Sequence, residues 1–226
     1  MELSKYTILV AGGSGSRMQS EIPKQFLLLN GKPILFHTIE KFYQIDSQMQ
    51  IIVVLPQKDM DYWEEICQKH HFSIPIKVVE GGATRYQSVK NGLTWIASQT
   101  QEVLVAIHDG VRPLVSNVVI LNSFEISSVK GSAIASVTLK DSIREIIEDK
   151  SKSVPRTAYR LIQTPQTFRF SEIWQAFQKV ADSPEITDDA SVYEKAGFEV
   201  TLIEGNYENI KITTPEDLKI AQVFLL

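Results

Sequence analysis

The amino-acid sequence predicts an α/β fold in which a mostly parallel, Rossmann-like sheet carries helices on both faces. Short apolar runs alternate with helical patterns along most of the 226 residues, and this alternation is typical of strand–helix–strand units. The runs IIVVL (51–55) and VLVAI (103–107) contain no polar residue. Strands that are buried on both sides have this composition, so helices should cover both faces of the sheet.

The composition favours one domain, from residue 1 to residue 226. With 43% hydrophobic residues, the chain can bury one sizeable core. Its 23 basic and 27 acidic side chains give a net charge of −4, whereas a nucleic-acid-binding protein normally carries a basic excess. No run approaches the roughly 18 apolar residues of a transmembrane helix. We therefore expect neither a nucleic acid nor a membrane as a partner.

The cysteine content and the N-terminus both indicate the cytoplasm. Cys67 is the only cysteine, which excludes an intrachain disulfide and a CxxC zinc site and fits a reducing compartment. Residues 1–5 lead directly into a strand, without the basic-then-apolar pattern of a signal peptide. We therefore expect a cytoplasmic protein.

The predicted elements follow each other in the order that such a sheet requires. After a first strand at 6–10, the apolar pattern predicts strands at 51–55, 76–79, 103–107 and 133–137. Apolar residues at helical spacing predict intervening helices at 59–71, 84–98 and 118–129.

A charged segment then interrupts this order. The sequence KDSIREIIEDKSKSVPRTAY places an Asp-Lys-Ser-Lys-Ser centre between two partly alternating halves, which predicts a protruding β-hairpin, an arm at residues 138–160. Helices at 171–180 and from 187, a strand at 199–203, a strand carrying Lys211 and a last helix should follow. Pro215 fits the first turn of that last helix, with Thr214 as its N-cap.

The loop after the first strand, VAGGSGSRMQSEIPKQF (10–26), has features of a phosphate-binding loop. It lacks the GxxxxGK[ST] motif, and Met18 replaces the third glycine of the dinucleotide fingerprint, which argues against an NAD-dependent dehydrogenase. Small glycines still let backbone N–H groups approach phosphate oxygens, and Arg17 and Lys24 add positive charge. A plain strand-to-helix turn is the alternative for this loop taken alone.

A second glycine pair, in EGGATRYQSVKNGL (80–93), also follows a predicted strand. The backbone here could approach a flat base. Ser88 stands where its hydroxyl could hydrogen-bond the edge of that base, or where it could simply cap a helix.

Two charged groups at later positions suit a nucleotide. Asp109 of HDGVRP comes at the carboxyl end of a strand, where ligands of open parallel sheets bind and where a carboxylate can hold Mg²⁺ against phosphates. Arg112 could orient Asp109 or could form an ordinary ion pair with it. Lys211 of NIKITTPEDL adds another cation.

Taken together, these segments resemble the cytidylyltransferase family of the non-mevalonate isoprenoid pathway. The resemblance covers nearly the whole chain in order, through AGGSGSRM with PKQF, GGATRYQSVKNGL, HDGVRP, KDSIRE, PRTAYRLIQTPQTF, TDDASVYEKAG and NIKITTPEDL. It implies a fold of nucleotide-diphospho-sugar transferase type and a nucleotidyltransferase that uses Mg²⁺ or another divalent cation. It implies transfer of CMP from CTP to the phosphate of 2-C-methyl-D-erythritol 4-phosphate, giving 4-diphosphocytidyl-2-C-methyl-D-erythritol and pyrophosphate.

The resemblance also implies roles for individual residues. The implied catalytic residues, around the α-phosphate of CTP, are Arg17, Lys24 and Lys211, and the implied metal ligand is Asp109. The implied CTP-binding residues are Ala11, Gly12, Gly13, Gly15, Gly82 and Ser88. The implied acceptor-binding residues are Arg112, Ser142, Arg156 and Thr187. Ser142 and Arg156 match positions that reach in from the neighbouring subunit of a homodimer formed through the arm.

Three positions depart from the family's pattern. Gly12 stands where alanine is usual, which should only loosen the loop. Ala83 stands where an acidic residue often follows the glycine pair, so no carboxylate contacts the base from there. Ser142 replaces the commoner threonine and keeps the hydroxyl.

Two other functions fit parts of the pattern. A cytidylyltransferase acting on ribitol 5-phosphate or another polyol phosphate would share the scaffold, but the arm segments are more similar to those of the methylerythritol enzymes. A non-catalytic nucleotide-binding module would keep the glycine loop but could lose Lys24, Asp109 or Lys211, and all three are present.

Overall fold

The computed structural model describes residues 3–13, 18, 20, 22–100 and 102–225. Its strands are β1 Ser4–Val10, β2 Leu28–Leu29, β3 Lys32–Pro33, β4 Gln50–Leu55, β5 Lys77–Glu80, β6 Val103–Asp109, β7 Ser132–Thr138, β8 Ile143–Ile147, β9 Lys150–Val154, β10 Arg160–Arg169 and β11 Leu202–Glu204. Its helices are α1 Ile34–Ile45, α2 Met60–Lys69, α3 Arg85–Ala97, α4 Asn117–Lys130, α5 Phe170–Lys179, α6 Asp189–Lys195 and α7 Pro215–Phe224. Short 3₁₀ turns lie at Lys24–Phe26, Gln57–Asp59 and Arg156–Ala158. None of these described helices is long and apolar enough to cross a membrane.

Seven strands form one sheet, in the order β11-β7-β10-β6-β1-β4-β5. Strand β1 pairs in parallel with β4 and β6, β4 pairs in parallel with β5, and β11 pairs in parallel with β7. Strand β10 runs antiparallel to both of its neighbours, β6 and β7. The sheet is therefore mostly parallel, as the sequence predicts.

The sheet is buried on both faces. Ile8 and Leu9 are successive residues of β1, and both are fully buried, but they belong to different hydrophobic clusters. Helices α3, α5 and α6 cover the face of Ile8, and helices α1, α2 and α4 cover the face of Leu9. The predicted α/β class is therefore confirmed.

Four of these strands and helices are absent from the sequence prediction, namely α1, the two-residue strands β2 and β3, and the ten-residue strand β10. Pro165 lies in a polar part of β10, between Thr164 and Gln166, and proline is normally confined to edge strands, strand starts and bulges. In the structure, the register with β7 shifts between Ile162 and Gln166, so the proline lies at an irregularity of a long central strand.

The prediction that Lys211 lies on a strand is wrong. Residues 205–214 form a loop between β11 and α7, and β11 itself lies a few residues later than the predicted 199–203. The N–H of Ile212 donates to the carbonyl oxygen of Val111 at 3.0 Å, without starting a strand. Ile212 is buried in a small third cluster, and Ile210 packs against it. The apolar alternation around Lys211 therefore reflects burial rather than sheet pairing.

The carboxyl ends of three parallel strands meet at one edge of the sheet. Strands β1, β4 and β6 end at Val10, Leu55 and Asp109. The N–H of Gly110 donates to the carbonyl oxygen of Val10 at 2.9 Å, and the N–H of Gly81 donates to that of Leu55 at 2.8 Å. The loops that follow these strands are thus held together where open α/β sheets bind their ligands.

Gly92 allows helix α3 to lie close to strand β1. A Cβ atom at this position would lie 3.0 Å from Cγ2 and 3.1 Å from Cδ1 of Ile8. Ile8 is fully buried and has little room to move. This close approach sets the height of α3 above the sheet, and the N-terminal part of α3 carries Arg85 and Ser88.

We predict that Gly92→Ala destabilises the protein by about 1 kcal/mol. Overpacking typically costs roughly 1–3 kcal/mol, and the better helix propensity of alanine offsets about 1 kcal/mol of this. In an Ile8→Val background, which lacks Cδ1, the same substitution should be less destabilising. Urea unfolding of the unmodified protein, the two single variants and the double variant gives the effect of Gly92→Ala on stability in each background, as a double-mutant cycle. A more stable Gly92→Ala protein would show that α3 moves away from β1 without penalty.

Candidate active site

A cavity of about 290 Å³ opens at the carboxyl edge of the sheet, beside the loop that follows β1. The predicted site residues that line it are Ala11, Gly12, Gly13, Lys24, Gly82, Ser88, Asp109 and Lys211. Gly15 and Arg17 lie outside the described residues. The fold thus brings the described part of the predicted nucleotide site to one place, which we call the nucleotide cavity.

Lys24 stands in a short turn that brings its side chain against the glycine loop. It begins the 3₁₀ turn directly after Pro23 and is 8% exposed. A Cβ atom at Gly13 would lie 3.1 Å from Cε and 3.3 Å from Nζ of Lys24. The missing side chain of Gly13 therefore makes room for the Lys24 ammonium group beside the loop backbone.

The hydroxyl of Ser88 is already hydrogen-bonded to the backbone of Gly82 and Thr84, with the carbonyl oxygen of Gly82 as a second, longer acceptor at 3.5 Å. Its Oγ accepts the N–H of Gly82 at 3.1 Å and donates to the carbonyl oxygen of Thr84 at 2.9 Å. A hydroxyl has one donor and two acceptor lone pairs, so one acceptor position is left among the described contacts. A Cβ atom at Gly82 would lie only 2.3 Å from Cβ of Gln87, so this turn requires glycine.

A second cavity, of about 300 Å³, adjoins the first, and we call it the acceptor cavity. Arg85, Asp109 and Lys211 line both cavities. Arg112 and Thr187, two of the predicted acceptor-binding residues, line the acceptor cavity. Two ligands bound side by side would therefore face the same three charged side chains.

Asp109 is the electrostatic centre of the two cavities. Its carboxylate lies 3.0 Å from Nε of Arg112, 3.1 Å from Nζ of Lys211 and 3.8 Å from Nε of Arg85. Burial raises the pKa of Asp109, but the nearby Arg85, Lys211 and Arg112 outweigh it and hold that pKa well below its usual range. The carboxylate is therefore ionised at neutral pH although it is buried.

Arg85 is a site residue to which the sequence analysis assigns no role. Its Nη1 and Nη2 donate to the two carboxylate oxygens of Asp189 at 2.8 and 2.7 Å. Asp189 is 1% exposed and begins α6. The pair joins the start of α3, beside Gly82, to the start of α6, beside Thr187. The two residues are 104 positions apart. The only feature of the sequence that could have indicated either residue is its position at the start of a helix.

The arm holds Ser142 and Arg156 away from both cavities of their own chain. Strands β8 and β9 form a separate antiparallel two-stranded sheet, and neither residue lines a cavity described above. Nη1 of Arg156 donates to the carbonyl oxygen of Lys140. Ile146 and Ile147 on β8 are 72% and 52% exposed. The arm therefore presents polar and apolar groups outward.

The described residues contain no group of three or more His, Cys, Asp or Glu side chains that could hold a metal ion. Asp109 lines both cavities, whereas Asp188 lines the acceptor cavity alone and Asp189, paired with Arg85, lines neither. A single carboxylate suits Mg²⁺, which keeps several waters and takes further ligands from phosphate groups. The residues present therefore fit a metal ion that is bound together with a phosphate-bearing ligand.

Comparison with known proteins gives close matches over almost the full chain. The family model IspD, 2-C-methyl-D-erythritol 4-phosphate cytidylyltransferase, matches residues 6–226. The chain is 46% identical over 223 residues to the protein of that name from Phocaeicola vulgatus, covering 99% of this chain and all of the relative. It is 44% identical over 227 residues to the protein of that name from Porphyromonas gingivalis, covering 100% of this chain and 99% of the relative.

Solved structures share the fold. The 4-diphosphocytidyl-2C-methyl-D-erythritol synthase of Anaerococcus prevotii matches with a TM-score of 0.83 and 30% identity, over 99% of this chain and 96% of that one. The 2-C-methyl-D-erythritol 4-phosphate cytidylyltransferase of Francisella tularensis matches with a TM-score of 0.82 and 31% identity, over 97% and 99%. The resemblance drawn from the sequence motifs is thereby confirmed, and the chain belongs to the IspD family, the 2-C-methyl-D-erythritol 4-phosphate cytidylyltransferases.

Proposed function

We propose that this chain transfers CMP from CTP to the phosphate of 2-C-methyl-D-erythritol 4-phosphate, giving 4-diphosphocytidyl-2-C-methyl-D-erythritol and pyrophosphate for isoprenoid precursors. The observation that supports this most directly is the pair of adjoining cavities with a shared charged wall. The nucleotide cavity, with its glycine loop, suits a nucleoside triphosphate. The acceptor cavity, with Arg112 and Thr187, suits a sugar phosphate. The reacting groups would meet at the wall formed by Arg85, Asp109 and Lys211.

The reaction is an in-line attack by an acceptor phosphate oxygen on the α-phosphorus of CTP. A phosphorus–oxygen bond to the acceptor forms while the bond to pyrophosphate breaks. The acceptor is already an anion, so no general base has to remove a proton. The barrier arises from repulsion between two anions and from charge that grows on the equatorial oxygens, and fixed cations lower both contributions.

Lys24 and Lys211 are the described cations that we assign to the α-phosphate, together with Arg17 of the glycine loop. Lys24 lies against Gly13 on one side of the nucleotide cavity, and Lys211 lies on the wall shared with the acceptor cavity. Because the fold holds Lys24 and Lys211 beside the nucleotide cavity before substrate binds, little reorganisation of these two charges is needed during the reaction. Losing one preorganised charge typically costs about 3 kcal/mol, on the order of 100-fold in rate.

Asp109 is the residue that we assign to Mg²⁺ or another divalent cation, which phosphate oxygens of CTP would hold from the other side. When bound, such an ion would neutralise part of the phosphate charge. The contribution of this chain is to keep the carboxylate ionised and in place, through Arg85, Lys211 and Arg112.

Ser88 gives the nucleotide cavity a basis for preferring cytosine. Its remaining acceptor position matches the amino group of cytosine, whereas uracil presents a carbonyl oxygen, which is also an acceptor, at the same edge. The hydroxyl proton is engaged by backbone carbonyl oxygens, that of Thr84 at 2.9 Å and that of Gly82 at 3.5 Å, and is therefore less available to a carbonyl oxygen of uracil. We expect the tight turn at Gly82, which lines this cavity, to favour a pyrimidine over a larger purine.

The exposed apolar residues of the arm support a homodimer in which each chain completes the site of its partner. An isolated two-stranded sheet is marginal in water, and Ile146 and Ile147 are exposed on this one. Packing against a twofold-related copy would bury them. Ser142 and Arg156 would then contact the acceptor phosphate in the neighbouring chain.

A cytoplasmic location is part of the proposal. Cys67 is the only cysteine of the chain, so the fold includes no intrachain disulfide. Burial, together with Glu64, raises the pKa of the Cys67 thiol to about 11, so the thiol is protonated and poorly reactive at neutral pH. Such a chain suits a reducing compartment.

Pyrophosphate release from CTP tests the proposed reaction. With Mg²⁺, methylerythritol phosphate should support turnover, ribitol 5-phosphate should not, and EDTA should stop the reaction.

Lys24→Ala should lower turnover on the order of 100-fold while CTP affinity changes only a few-fold. Lys130→Ala, which removes an exposed lysine at the end of α4, should change neither. Turnover with ribitol 5-phosphate alone would replace the proposed acceptor, and a fully active Lys24→Ala protein would contradict the role of Lys24.

Base preference tests the assignment of Ser88. CTP should have a much higher kcat/KM than UTP, ATP or GTP. Ser88→Ala removes the acceptor and the bond that holds Gly82, so kcat/KM for CTP should fall on the order of tenfold and the ratio of CTP to UTP should narrow. Ser98→Ala removes an exposed hydroxyl at the other end of α3 and should leave both unchanged. Equal use of UTP by the unmodified protein would contradict the assignment.

Complementation tests the shared site. Lys24→Ala and Arg156→Ala proteins should each lose nearly all activity, because one lacks a catalytic cation and the other lacks an acceptor contact. Co-expressed and paired at random, they should recover about a quarter of the unmodified activity, since mixed dimers contain one intact site. Arg144→Ala, an exposed arm residue hydrogen-bonded to Ser151 within the arm, is the matched control and should stay active. Verified mixed dimers without activity would show that Arg156 does not act across the interface.

A further inference from the structure

Gln25, the residue after Lys24, has a buried side chain that is held at one end only. It is 0% exposed, and its Nε2 donates to Oδ2 of Asp59 at 3.1 Å. Its Oε1 is buried and has no hydrogen-bond partner in the structure. Buried amides usually satisfy both ends, and an unpaired buried acceptor lowers stability. A hydrophobic side chain would avoid this penalty, so the amide needs another explanation.

Asp59 is the acceptor of this bond and lines neither the nucleotide cavity nor the acceptor cavity. It ends the 3₁₀ turn that precedes α2 and is 5% exposed. Burying a carboxylate is unfavourable unless it is hydrogen-bonded, and Gln25 supplies the side-chain donor. The hydrogen bond therefore ties Gln25 to the start of α2 and restricts the orientation of its side chain.

The turn that carries Lys24 is held to α2 by an apolar contact as well. The ring of Phe26 lies 5.3 Å from that of Tyr62 and 6.3 Å from that of Trp63, measured between centroids. Dispersion and burial hold the ring in place but are not directional. The hydrogen bond to Asp59 is directional, so it constrains the orientation of the turn, which the apolar contact alone does not.

We propose that Gln25 and Asp59 are positioning residues for Lys24, because their buried hydrogen bond orients the turn so that the Lys24 ammonium group lies along the glycine loop. This inference rests on the catalytic role proposed for Lys24. The space beside Gly13 is narrow, since Nζ lies 3.3 Å from where a Cβ atom would stand. A displacement of about 1 Å in a catalytic group can lower the rate on the order of 100-fold.

Substitutions at Asp59 test the inference with a matched control. Asp59→Ala removes the acceptor and should lower turnover ten- to a hundred-fold, with a smaller effect on KM for CTP. Asp59→Asn keeps a carbonyl oxygen for Nε2 of Gln25 and should retain turnover within about threefold. Asp61→Ala removes an exposed carboxylate in the first turn of α2 and should behave like the unmodified protein. If Asp59→Ala does not fold, Gln25→Asn breaks the same contact with a smaller change. Because Gln25 also lines the nucleotide cavity, the measurement for this variant is the rate at which Lys24 is acylated without substrates, which should rise several-fold.

A second measurement separates this inference from the catalytic role of Lys24. Acylation of Lys24 by an amine reagent, followed by peptide mass spectrometry without substrates, reports the position of the side chain. Lys24 should be acylated several-fold faster in Asp59→Ala and at the normal rate in Asp59→Asn. Faster acylation with normal turnover would support the positioning role and refute the catalytic role. Normal acylation in Asp59→Ala, or an Asp59→Asn protein as impaired as Asp59→Ala, would overturn the positioning role.

The Lys24→Ala background gives a third test. If Asp59 acts through Lys24, adding Asp59→Ala to Lys24→Ala should change the residual turnover by less than about twofold, because the group being positioned is already gone. If the double variant instead loses turnover by the product of the two single effects, Asp59 acts independently of Lys24 and the inference is overturned.

Discussion

A carboxylate buried at the carboxyl edge of the sheet is the constraint on which the rest of the site depends. Asp109 is 6% exposed, and an unpaired charge at such a place is strongly unfavourable. Arg85, Arg112 and Lys211 compensate it, and they come from α3, from the loop after β6 and from the loop before α7. Asp109 can be buried and ionised only when these segments meet. Completing the fold and assembling the cationic wall are therefore the same event.

Around Asp109, glycines determine how closely neighbouring segments of the chain can approach each other. Gly13 makes room for Lys24, Gly82 allows the tight turn before α3, and Gly92 lets α3 approach β1. Gly13 and Gly82 leave room beside the polar residues Lys24 and Gln87, and Gly92 leaves room for the apolar side chain of Ile8. The result is a cavity lined by Lys24, Arg85 and Lys211, which suits a reaction that needs fixed charge rather than proton transfer.

Local signals in the sequence predict the local parts of this arrangement. The glycine loops, the capped start of α7 at Thr214 and the position of Asp109 at a strand end each follow from a few adjacent residues. The pair of Arg85 and Asp189 does not, because its partners are far apart in sequence and meet only through tertiary packing. The direction of β10 likewise depends on pairing with β6 and β7. Lys211 shows that alternating burial in a loop has the same pattern as a strand.

The ion pair between Arg85 and Asp189 has a consequence for how members of such a family can diverge. The pair connects α3, which follows the turn at Gly82, to α6, which begins beside the acceptor cavity. A substitution that reshapes one side should also shift the wall of the other, so we expect donor and acceptor preferences to change together in evolution. A lineage that acquires a new acceptor should therefore find its variation in the arm, which lies outside this connection, sooner than in the cavity walls.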